Sequence, residues 1–185
     1  RLARDIKPDE VHLSLEPKGA TWALAVATLD KPFLFSNICG VLSSFGMNIL
    51  RGHAFTNPNG LVLDAFEFTD EERFFGLNRD AQDKVLRVMQ DVVSGRADVT
   101  ERLRGRERSI LQARSAQRFA PVVHADNKAS GRYTILDIVT GNALGLLHRI
   151  SRVISQHGCD VDLVLIATEG EKAIDVFHIT KAGSK

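Results

Sequence analysis

The chain is poor in the residues and patterns that mark most specialised proteins. It has two cysteines in 185 residues, Cys39 and Cys159, and no C-x-x-C pair, so neither a disulfide framework nor a zinc or redox centre is expected. Cys39 falls inside an apolar helical pattern and Cys159 opens a strand-like run; both read as small buried hydrophobes in a reducing, cytoplasmic setting. No run of about 18 apolar residues occurs, which argues against a membrane-spanning helix. The opening RLARDIKPDE has three charges of each sign and no apolar stretch, unlike a secretory signal. It also lacks a starting Met, which suggests a piece of something longer. The formal net charge is only +1, leaving no whole-chain electrostatic case for nucleic acid or membrane. P-loop, G-x-G-x-x-G, H-E-x-x-H and G-x-S-x-G motifs are all missing. The six histidines are dispersed, and His148 and His157 stand too far apart on one helix to share a metal. No catalytic residue, metal ligand or cofactor site is therefore expected in this segment.

What the chain does have is a repeat. TLDKPFLFSNICGVLSSFGMNI from Thr28 overlays TGNALGLLHRISRVISQHGCDV from Thr140 at a constant offset of 112 residues. Leu34 falls on Leu146, Ile38 on Ile150, Val41 on Val153, Gly46 on Gly158 and Thr56 on Thr168. The offset then drops by one inside a turn, after which Asp64 meets Asp175, Phe66 meets Phe177 and Thr69 meets Thr180. Leu34, Phe35, Ile38, Val41, Leu42 and Phe45 form one apolar helical stripe, and its twin runs from Leu146 to Ile154. Gly46 and Gly158 suit left-handed helix ends. Strand-like runs precede and follow each helix: ALAVATL and MNILRGHAFT in the first copy, YTILDIV and CDVDLVLIAT in the second. The turns NPNG and EGEK then lead into third strands, LVLDAFEFT and AIDVFHIT.

In the first copy a further helix follows, with Val85, Leu86, Met89, Val92 and Val93 as its stripe. Closing a β-α-β-β-α-β unit requires one more strand, and FAPVVHA, Phe119 to Ala125, is expected there, Pro121 suiting it to a sheet edge. The second copy stops at Lys185 after its third strand, so its second helix and last strand are expected to be missing. The stretch Arg96 to Arg118 carries Arg102, Arg104, Arg106, Arg108 and Arg114 against Glu101 and Glu107. It reads as a solvated helix and connector, since no aromatic is interleaved to stack on bases. Asp64 and Asp175 each alternate with apolar residues on one strand face, so each needs a partner. They are either ligand or catalytic carboxylates, or structural ones that accept backbone N–H bonds.

Some of these residues resemble a known family. The strand-to-helix loops look like the ACT-domain motif D-x-P-G-L-L. The tail IATEGEKAIDVFHIT resembles the last ACT repeat of bifunctional uridylyltransferase/uridylyl-removing enzymes of PII signalling, matching I-x-T-x-G-E-x-x-x-D-x-F-x-V-T at Ile166, Thr168, Gly170, Glu171, Asp175, Phe177 and Thr180. Asp126, Asn127 and Ser130 match a D-N-x-x-S element, and Asn57 to Phe66 match the family's hairpin. The resemblance spans roughly Trp22 to the end. It implies an α+β fold of tandem ferredoxin-like βαββαβ (ACT) domains with antiparallel sheets. Residues 1–20 would be an N-terminal extension, 21–126 the first domain with a basic connector helix at about 96–118, and 127–185 a second, truncated domain.

The resemblance further implies a sensing module with glutamine as effector, acting on catalytic domains of the parent chain, with the PII protein as partner and without nucleic acid or membrane. An amino-acid carboxylate would meet orphan N–H groups at a helix start, from the backbone of Gly145, Leu146 and Leu147, with Leu144 beside them in the same loop. Asn142, or Asp30 in the other copy, would hold the ammonium or a side-chain amide. Asn48 or Asp160 from a neighbouring second strand would close the far side. The loops depart from the motif: Phe33 replaces Gly in the first copy, and Asn142 and Leu144 replace Asp and Pro in the second. Phe33 is expected to crowd the backbone, making the second copy the better pocket. The alternative class is a ligand-free assembly module, with a homodimer as an open arrangement.

Overall fold

The computed structural model describes residues 6–7, 10–111, 120–170 and 172–184, without the side chains of 107–111. The expectations placed on Arg114, Phe119 and Glu171, and on the side chains of Glu107 and Arg108, lie outside the described residues. The first copy comprises β1 (His12–Lys18), β2 (Thr21–Leu29), α1 (Leu34–Ser44), β3 (Asn48–His53), β4 (Leu61–Thr69), the short α2 (Phe74–Leu77) and α3 (Ala81–Val93). A connecting helix α4 (Val99–Leu111) leads to β5 (Val122–Asp126), β6 (Thr134–Gly141), α5 (Leu146–Gln156), β7 (Cys159–Glu169) and β8 (Lys172–Lys181). Two four-stranded antiparallel sheets result, in the orders β1-β2-β4-β3 and β5-β6-β8-β7. This is the α+β, tandem ferredoxin-like class that the repeat implies.

The edge strands come from elsewhere than expected. The run assigned to close the first copy pairs with the second: Val122 lies opposite Val139 and Asp126 opposite Ile135. The first sheet takes its edge from the supposed extension, His12 pairing with Ala27 and Lys18 with Thr21. Each edge strand thus precedes its copy in a short hairpin, which costs less loop entropy than a strand returning from beyond two helices. The D-N-x-x-S element is the second hairpin's turn. Asp126 accepts from the amides of Lys128 at 2.6 Å and Ala129 at 3.0 Å, and Ser130 Oγ accepts from those of Arg132 and Tyr133, each at 3.1 Å. The second sheet therefore has its fourth strand. It has no counterpart of α3 among the described residues.

The predicted stripes set the core. Leu34, Phe35, Ile38, Val41, Leu42 and Phe45 are all buried. On β4, buried Val62, Asp64, Phe66 and Phe68 alternate with outward Leu63 and Ala65. Val85, Met89, Val92 and Val93 of α3 join the same core. Gly46 and Gly158 take φ of 79° and 70° at the helix ends, as expected. Helix α4 is amphipathic: Val99 and Leu103 are buried against α1, Arg102 lies over the Phe45 ring at 5.0 Å, and Arg106 pairs with Glu72.

The copies meet along a seam where β3 lies beside β7 and α1 beside α5. Thr168 Oγ1 donates to the Ile49 carbonyl at 3.3 Å. Buried His148 places Nδ1 2.7 Å from the carbonyl oxygen of Ser36, so Nδ1 carries the proton. Positions 36 and 148 are equivalent in the repeat, so this contact falls where the two copies face one another. Small residues make the close approach feasible. A Cβ on Gly40 would sit 2.7 Å from that same Nδ1, and one on Gly52 would sit 2.5 Å from Ile166 Cδ1.

Candidate functional site

Each copy's strand-to-helix loop faces the start of the other copy's second strand. The two loops are built alike. Leu34 N donates to Lys31 O at 3.1 Å and Asn37 N to Phe33 O at 2.8 Å; their counterparts, Leu146 N to Ala143 O and Arg149 N to Gly145 O, measure 3.0 and 3.1 Å. Phe33 and Gly145 hold the same left-handed conformation before the helix, with φ of 64° and 76°. That conformation is ordinary for glycine and strained for phenylalanine. The first turns of α1 and α5, each with backbone amides beyond the reach of intrahelical acceptors, line the two seams.

The seams differ in space. Beside the first loop lies a cavity of about 420 Å³, walled by Asp30, Phe33, Thr56 and Asp64 of one copy and Arg132, Asp160, Asp162 and Thr180 of the other. Beside the second loop only about 20 Å³ remains, among Asn48, Asn142, Leu144, Gly145, Leu146, Leu147, Thr168 and Asp175. The sequence-predicted residues therefore divide: Asp30 and Asp160 share the open cavity, and the other six gather at the closed one. The larger space thus lies beside the first loop and not, as the loop motif led one to expect, beside the second; Phe33 is part of its wall, with Arg152 of α5 over the ring at 5.7 Å.

The contrast in volume follows the residues at the lips. At the closed seam Asn142 Nδ2 donates to Asn48 Oδ1 at 3.4 Å. The repeat puts Asp30 and Asp160 at the same two positions of the open seam. Two carboxylates have no donor to share and repel one another. Burial raises the Asp30 carboxyl above its ordinary pKa, opposed by the Lys31 amide, and the charges of Asp160 and Asp162 raise it further. Arg132, which sequence patterns did not single out, stands 3.9 Å from Asp162 and stacks on Tyr133 at 5.1 Å. Asp162 also accepts from Thr180 Oγ1 at 2.7 Å.

Two carboxylates are buried behind these lips. Asp64 is 1% exposed, and burial pushes its pKa up to about 8, against a hydrogen bond from the Phe55 amide and with the charge of Asp30 adding. Its Oδ1 has no hydrogen-bond partner among the described residues. Asp175 is fully buried, raised by that burial to about 7, and neither oxygen is partnered among the described residues. The purely structural reading, a carboxylate satisfied by backbone amides, therefore fits one oxygen of Asp64 and neither of Asp175. Both lie near Cys39, whose thiol is raised first by burial and then by their charges. Cys39 is buried and Cys159 half-buried, and both are free thiols. Among the described residues no group of three or more His, Cys, Asp or Glu is placed to hold a metal ion, and no helix is long and apolar enough to cross a membrane.

The fold and seam define a class: paired ferredoxin-like units that share cavities built from both copies. Within that class the chain is similar to bifunctional uridylyltransferase/uridylyl-removing enzymes. It is 28% identical over 179 residues to that of Azospirillum brasilense, covering 95% of this chain and 19% of the relative. It is 27% identical over 174 residues to that of Rhodopseudomonas palustris strain ATCC BAA-98 / CGA009, covering 92% and 18%. The chain thus spans about a fifth of the length of these relatives. No protein-family model and no solved structure matches it.

Proposed function

We propose that the chain is the regulatory, amino-acid-sensing segment of a uridylyltransferase/uridylyl-removing enzyme of ACT type, with glutamine as effector and the PII protein as the target of the parent's catalytic domains. The observation that carries the reading is the 420 Å³ cavity at the first loop, within the roughly 300–1,000 Å³ of small-molecule sites. It offers both halves of a zwitterion a partner: the first turn of α1 for the carboxylate, and Asp30 with Asp160 for the ammonium. Its walls belong to two copies, so an occupant that favours one packing of the copies shifts their equilibrium, the differential contact that allostery requires. Similarity to the uridylyltransferase relatives over nearly the whole chain supports the regulatory assignment.

Isothermal titration of the chain with a panel of free amino acids tests this. Saturable heat at one site per chain is expected, abolished by Asp30→Ala. A flat trace and an unchanged melting temperature with every amino acid would end the sensing reading. The Asn48–Asn142 contact that shuts the second seam favours a second reading, ligand-free assembly. A chain that dimerises in sedimentation velocity and binds nothing would establish that one.

A further inference from the structure

Among the carboxylates that line the open cavity, only Asp64 is buried. Asp160 is exposed at its lip, Asp30 lies at the lip only partly desolvated, and Asp162 is half-buried. An amino acid held by its ammonium at the lips would therefore direct its side chain inward, toward Asp64. We propose that Asp64 is the selectivity residue of this cavity: its buried carboxyl, with Oδ1 unpartnered, hydrogen-bonds an uncharged polar side-chain terminus, a carboxamide best of all, and turns charged side chains away. The proposal rests on the amino-acid-sensing reading above.

The chemistry follows from the protonation state. The charged groups lining the cavity with Asp64 are Asp30 and Lys31 on the loop and Arg132, Asp160 and Asp162 across the seam. The Cys39 thiol approaches from α1 and the Phe55 amide from the chain after β3. Burial and Asp30 together keep the carboxyl protonated below about pH 8. Protonated at the unpartnered Oδ1, the carboxyl can donate to a carboxamide oxygen, and the other oxygen, which accepts from the Phe55 amide, has a second lone pair for the carboxamide N–H, so the two groups can form paired hydrogen bonds. A carboxylate side chain would gain one bond there and meet the negative charge of Asp30, Asp160 and Asp162. An ammonium side chain would require Asp64 to ionise in its buried position. Asp175 is the internal control, since the same carboxyl on the second copy faces a space too small for such a side chain.

The test is isothermal titration of the chain with glutamine, asparagine, glutamate and lysine at pH 6.5 and 8.5, repeated on Asp64→Asn and Asp64→Leu, with circular dichroism confirming the fold. The better carboxamide ligand should bind at least about tenfold tighter than glutamate or lysine at pH 6.5. With ionisation near pH 8, its affinity should fall about fourfold by pH 8.5. Asp64→Asn keeps a donor and an acceptor, so binding should persist within about threefold and lose that pH step; Asp64→Leu should lose about tenfold. Glutamate or lysine binding as tightly as the carboxamides, a wild-type affinity unchanged between the two pH values, or a folded Asp64→Asn chain that binds nothing would each overturn the proposal. Those outcomes leave the sensing reading standing, because some amino acid still binds; silence toward all four and toward the wider panel removes both.

Discussion

The two copies share a backbone plan and differ in what surrounds it. Val41 and Val153 occupy equivalent places on equivalent helices, yet Val41 is fully buried and Val153 is 52% exposed. The cause is α3 and α4, which pack against α1 and have no counterpart on α5 among the described residues. The β1 edge shows the same contrast: Leu15 is buried against the core, and its counterpart Ala125 is exposed. Trp22 and Phe75 of the first copy stack at 4.1 Å. A repeated apolar pattern therefore specifies a helix and a face, while burial depends on which neighbours arrive.

A charge placed at both positions should separate the two surroundings most strongly. Val41→Asp leaves a carboxylate uncompensated in the core and should cost about 3–5 kcal/mol, enough to unfold a marginal domain. Val153→Asp should cost no more than about 0.5 kcal/mol. Urea denaturation of the two variants measures the gap, and equal costs would show that the helices sit in equivalent surroundings after all.

The buried carboxyls give an intermediate effect. Asp64 and Asp175 are raised from 3.8 to about 8 and about 7. The folded chain thus holds protons that the unfolded chain releases above about pH 4. Stability from these groups is fully present below the unfolded value and is lost as pH rises through the folded one. The melting temperature should fall from pH 5 toward pH 8 and then level off. Asp175→Asn should make the decline shallower up to about pH 7 and leave the part due to Asp64, which runs to about pH 8; Asp64→Asn should leave a shallower decline that ends near pH 7. A melting temperature that rises over this range in the wild type, and stays rising in both variants, would contradict the buried, neutral state.

The smallest expected effect concerns the lips of the seams. Converting the closed seam to the open one's chemistry with Asn48→Asp and Asn142→Asp removes one long, half-buried hydrogen bond, worth about 0.5 kcal/mol. If paired carboxylates hold the first seam open, the double variant should gain a second ligand site in titration, and Asp30→Asn with Asp160→Asn should weaken the first. An unchanged stoichiometry in the double variant would assign the opening to the arginines and Phe33 instead.

Much of this arrangement was legible from residue order. The helical stripes, the glycine ends, the hairpin turns and the alternation that put Asp64 on the core face are local and periodic, and each appears where the pattern put it. The edge strands depart from the expectation because an edge strand has no pattern of its own that says which sheet it joins; the short hairpin that precedes each copy supplies it. Arg132, Asp162 and Thr180 were missed at the site because each reads as an ordinary polar residue of a strand or turn, and only the seam brings it opposite Asp30.

That this chain builds one α+β unit twice follows from residue order alone, since a periodic apolar pattern acts over neighbouring residues whatever lies beyond them. Which copy encloses a cavity was decided by tertiary structure alone. Residues some 130 positions apart, Asp30 and Asp160, meet across a seam as like charges, whereas Asn48 and Asn142 meet as a bonded pair. That difference arises between side chains with no proximity along the chain.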